Sequence, residues 1–111
     1  MKSFFIIVVL IAATGCIPKK AFQPNPPAYK DWYKGSLSDE EIKQEMLSCG
    51  HQNPYTPDRN DSINDRAIKE ICMFDKGFKY TSGFKGICYI INLHDKPACV
   101  EYRKTHPNPP S

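Results

Sequence analysis

Four cysteines, Cys49, Cys72, Cys88 and Cys99, crowd into residues 31–102 and constrain this chain more than any other feature. A segment of that size buries too little apolar surface to be stable on its core alone, so staples are expected. An even number of cysteines in a short exported chain reads as disulfides rather than free thiols. Four cysteines allow three pairings. Cys49–Cys72 with Cys88–Cys99 is preferred, because each bond then joins neighbouring elements. No C-x-x-C spacing points to a redox site, or to a metal centre with His51, His94 or His106. The apolar content agrees with a small core. Eleven of the 45 apolar residues fall in the first 15 positions, leaving 34 in 96, about 35%.

The N-terminus explains the fifth cysteine. Lys2 is followed by ten apolar residues at 4–13, then Thr14, Gly15 and Cys16. A spanning helix needs about 20 apolar residues, whereas a signal-peptide core needs about half that. Ala13-Thr14-Gly15-Cys16 resembles the bacterial lipobox, although its leading position is more often Leu. The resemblance implies that residues 1–15 are a cleaved signal peptide and that Cys16 is the lipidation site. Its thioether-linked diacylglycerol and a further palmitate-type acyl chain would together anchor stably in a bilayer. Ile17 stands where an inner-membrane retention Asp would be, so the outer membrane is the favoured location.

Residues 16–30 form a Pro-rich tether. With four prolines and no helical period, it is expected to be extended, reaching roughly 40 Å at about 3.1 Å per residue. Residues 103–111 carry three prolines and are expected to be a disordered tail. The folded part is then 31–102. Lys and Arg number 15 against 12 Asp and Glu, with no basic stripe, so no nucleic-acid partner is indicated.

Within the domain, Ser38-Asp39-Glu40-Glu41 is a capping box, with Leu37 and Ile42 as its hydrophobic staple. Ile42, Met46 and Cys49 then share a helix face up to Gly50, a natural terminator. The polar stretch 51–60 is a loop. A second helix begins near Asp61 or Ser62, carries Ile63, Ala67, Ile71 and Phe74 on one face, and stops at Gly77. Alternation at Phe78 and Tyr80 suggests a strand, and residues 87–91 and 98–102 suggest two more. Cys88 and Cys99 would then bridge a hairpin. The expected fold class is α+β: two short helices packed on a small antiparallel sheet or hairpin, stapled by two disulfides.

Trp32, Lys34-Gly35, the Ser38 helix, Leu47-Ser48-Cys49-Gly50, Cys72-Met73 and Gly77-Phe78 follow one another in an order that resembles small lipoproteins of Gram-negative bacteria. In these, a Cys-Met-x-x-x-Gly-aromatic element follows a helix ending in Cys. The likeness spans roughly 32–80, with Gly35 where Pro is often found. It implies a lipid-anchored envelope protein and supplies no catalytic residue.

No G-x-S-x-G, P-loop, zinc or dinucleotide motif is present, so no enzyme and no cofactor are expected. The acids at 39–41 read as helix capping. His51 reads as a solvated loop residue. Asp58, Asp61 and Asp65 lack the EF-hand ladder, its Gly and its bidentate Glu. Tyr29, Trp32 and Tyr33 cap the core from the tether side or offer a partner patch. The expected function is a non-catalytic structural or protein-interaction role in the cell envelope, with the bilayer and an envelope protein as partners. The alternative is an inhibitor or exclusion lipoprotein that blocks a lysozyme, a phage or a conjugation system.

Overall fold

The computed structural model describes residues 25–110. The expected signal peptide, the expected lipidation site Cys16 and most of the expected tether lie outside the described residues.

The capping box forms as the sequence predicts. Ser38 Oγ accepts from the Glu41 amide at 3.3 Å, and the Ser38 amide donates to Glu41 Oε1 at 3.2 Å. It opens helix α1, Asp39–Ser48. A second serine, Ser62, caps helix α2, Ile63–Asp75, by accepting from the Asp65 amide. The two helices end alike. Gly50 and Gly77 adopt φ +96° and +90°. The His51 and Phe78 amides then reach back to the Met46 and Met73 carbonyls at 3.1 Å each. These are Schellman closures, which need a left-handed residue that glycine supplies without strain.

Trp32–Tyr33, strand β1, pairs antiparallel with Lys79–Tyr80, strand β2, with Trp32 opposite Tyr80 and Tyr33 opposite Lys79. The sheet seals the first hydrophobic cluster: Trp32, Ile42, Met46, Cys49, Met73 and Phe78. The Cys49–Cys72 disulfide locks α1 to α2, with the two Cα atoms 5.6 Å apart. A second cluster of Ala67, Cys88 and Cys99 is closed by the Cys88–Cys99 disulfide. Both pairings are those preferred on sequence grounds, and the molecule is α+β.

The C-terminal third departs from the expected hairpin. Residues Ile87–Tyr89 form a 3-10 turn, and Pro97–Thr105 form a third helix, α3. The Ile87 amide donates to Glu70 Oε1 at 2.6 Å, which takes it away from any strand ladder. Proline lacks an amide hydrogen, and the first turn of a helix does not need one, so Pro97 starts α3 at no cost. The Ala98 amide is satisfied by Asn64 Oδ1 at 2.9 Å. Cys88 and Cys99 therefore join a turn to a helix.

The ordered contacts also run past residues 31 and 102. The Ala28 and Tyr29 amides donate to the Tyr55 and Pro54 carbonyls at 3.0 and 2.8 Å. Tyr89 Oη donates to the His106 and Asn108 carbonyls at 2.6 and 3.0 Å.

Candidate functional site

The 51–61 loop, α2 and the segment around β2 enclose a cleft of about 320 Å3. Its apolar wall includes Trp32, Met46, Tyr80, Phe84 and Ile87. The Trp32 and Tyr80 rings stack at 4.0 Å, and Phe84 leans on Tyr80 at 5.3 Å. Strand alternation turns Trp32 inward, and its antiparallel register with Tyr80 brings the two rings face to face.

Helix α2 supplies the polar wall. Arg66, Lys69 and Glu70 lie one and three residues apart, so they share one side of the helix. Lys69 Nζ reaches two loop carboxylates, Asp58 at 2.9 Å and Asp61 at 2.6 Å. Asp58 in turn receives the Gln52 amide at 3.3 Å and faces His51 Nδ1 at 3.2 Å. Burial pushes the Asp58 carboxyl up, but the Lys69 and Gln52 hydrogen bonds outweigh it, and its pKa falls below the ordinary value. Burial likewise holds the His51 imidazole below its ordinary value, against the pull of Asp58. His51 Nε2 is enclosed without a hydrogen-bond partner.

Glu70 is the buried charge of the cleft, 3% exposed. Its two oxygens accept from Tyr80 Oη at 2.5 Å and from the Ile87 amide at 2.6 Å. Burial raises its pKa despite both bonds. Burial and the neighbouring Glu70 charge also raise the Tyr80 hydroxyl, and Asp31 at the cleft mouth adds to this. Gly86 lets the chain come this close: a Cβ there would stand 2.8 Å from Glu70 Oε1 and 2.9 Å from Phe74.

The aromatic trio singled out in the sequence does not form one surface. Trp32 is 5% exposed in the first cluster, while Tyr33, its neighbour in β1, is 47% exposed on the other face. Tyr29 packs edge-on against Tyr55, 5.6 Å away, with Lys43 Nζ over both rings at 4.6 and 4.7 Å. His51, expected in solvent, is tucked against Asp58 instead. Asp58 and Asp61 close on the Lys69 ammonium. Among the described residues, no three His, Cys, Asp or Glu side chains converge as a metal site.

Glu70 drew no attention in the sequence. The one available signal was its place at the border of α2's apolar stripe, beside Ala67 and Phe74. A charged residue there must either find donors or break the packing.

No protein-family model matches the chain, and no curated protein or solved structure is significantly similar to it.

Proposed function

We propose that this chain is a lipid-anchored protein of the cell envelope whose stapled domain serves a non-catalytic, protein-interaction role. One observation carries the reading: the four cysteines after Cys16 are all used in disulfides, so Cys16 is the odd thiol. Stable disulfides belong to oxidising compartments, which supports export. An odd cysteine directly behind a ten-residue apolar run supports acylation of that thiol. No helix among the described residues is long and apolar enough to cross a membrane. The tether would then hold the domain away from the bilayer, with the outer membrane the favoured one.

Expression in a Gram-negative host with a clickable fatty-acid analogue tests the anchor. The wild-type chain is expected to take up label and fractionate with membranes. Cys16→Ala is expected to lose the label and to leave the membrane fraction. An unlabelled wild type, or a Cys16→Ala chain that keeps its label, overturns the reading. Cross-linking in intact cells tests the interaction role, with one reproducible envelope partner expected.

A further inference from the structure

We propose that the cleft binds an alkylammonium group, held by the Glu70 and Asp31 carboxylates against the faces of Tyr80 and Phe84. The proposal concerns the described domain alone and does not depend on the anchor at Cys16.

The charges of the cleft do not balance. Four carboxylates line it, Asp31, Asp58, Asp61 and Glu70, against two cations, Arg66 and Lys69. Lys69 is shared by Asp58 and Asp61, so its charge is already matched by two carboxylates. Arg66 turns its guanidinium to the Arg59 carbonyl at 3.4 Å. Glu70 and Asp31 have no cation within ion-pair distance among the described residues. A buried carboxylate without a counter-charge is costly, and a cation that reaches it relieves that cost. Each Glu70 oxygen uses one acceptor site on the protein, so capacity for a further donor remains.

The apolar wall suits the same ligand. The Trp32 stack covers one face of Tyr80, while Phe84, tilted against Tyr80, is 40% exposed; the negative π face of such a ring attracts an ammonium within about 6 Å. The volume, about 320 Å3, is that of a small-ligand site. The molecule already holds one ammonium this way. Lys43 Nζ sits over the Tyr29 and Tyr55 rings and binds Glu40 at 2.9 Å. The cleft offers rings and carboxylates in the same combination. An alkylammonium could come from a free amine or from a lysine side chain, and the two sources are separable.

Trp32 is the chain's single tryptophan and lines the cleft, so its emission reports occupancy directly. The full chain in neutral detergent micelles is titrated with butylammonium, with a capped Gly-Lys-Gly peptide, and with that peptide acetylated on its lysine. A saturable change with a cationic probe is expected, and none with the acetylated peptide. Butylammonium alone saturating identifies a free amine; tighter binding of the lysine peptide identifies a protein side chain. Asp31→Asn and Glu70→Gln are each expected to weaken binding by about tenfold. Asp31 is exposed, so its variant decides the matter even where Glu70→Gln folds poorly. The proposal is overturned by an absence of saturation with both cationic probes. An equal response to the acetylated peptide, or unchanged affinity in a folded Asp31→Asn chain, overturns it as well.

Discussion

Glu70 joins three elements at one carboxylate. It sits on α2, holds the hydroxyl of Tyr80 in β2, and holds the amide of Ile87 in the turn that follows. Burial raises its pKa above the ordinary value of 4.5, so the folded state keeps the proton more readily than the unfolded chain. Its contribution to stability is therefore largest below that value and is lost as the pH rises through the raised one. His51 acts oppositely. Its lowered pKa means that the unfolded chain takes up the proton first, which removes stability as the pH falls below about 6.5. Both groups change stability with pH, so a single melting curve does not separate them. A difference does. Glutamine at position 70 still accepts from the Ile87 amide and can donate to Tyr80, without a titrating group. The melting temperature of Glu70→Gln minus that of wild type is expected to increase from pH 4.5 upward. A difference that is flat with pH sinks this account of Glu70. Alanine at the same position is expected to cost about 2 kcal/mol at pH 4.5, because two buried donors lose their acceptor, and less as the pH rises and the wild type loses its own titration-linked stability.

At the scale of elements, the helices were legible because their ends are written in local chemistry. Ser38 with Glu41 starts α1, and Gly50 and Gly77 stop α1 and α2 by the same left-handed closure. The pairing of the cysteines was legible for a related reason: each bond links elements that are neighbours in sequence. The C-terminal third was misread because Ile87, Cys88, Tyr89, Ile90 and Ile91 are strand formers taken one by one. Strand propensity acts only when a neighbouring strand offers a ladder. Here β2 spends its pairing on β1, 46 to 48 residues away in a contact that local reading does not register. The cleft was invisible for the same reason, since its lining comes from five separate segments: 28–32, Met46 in α1, 51–61, 66–70 and 80–87.

The two staples differ in what they close. Cys49–Cys72 spans a sequence separation of 23 and Cys88–Cys99 one of 11. Loop-closure entropy grows with the logarithm of that length. The double alanine variant of the first pair is therefore expected to lose about 0.6 kcal/mol more than that of the second. Denaturant melts of the two variants measure the gap. A reversed order would show that packing at Cys99, which is fully buried, outweighs chain entropy.

The described residues form two small cores threaded by one helix. Helix α2 gives Met73 to the cluster around Trp32, and Ala67 to the cluster around Cys88 and Cys99. Each cluster holds a disulfide, and in each the sulfurs are part of the buried apolar surface. Six fully packed side chains in one cluster and three in the other are few for a chain that must also order its long loops. The staples act on the unfolded chain as much as on the folded one, by shrinking the ensemble that folding must overcome. Reducing and alkylating both disulfides is therefore expected to unfold the domain at room temperature. Trp32 reports it: its emission should move to the red as the stack on Tyr80 opens to water, with loss of a cooperative melt. A reduced, alkylated chain that kept blue-shifted emission and a sharp transition would show that the two cores hold without their staples. In that case the cysteines would owe their presence to the route of folding rather than to the stability of the folded domain.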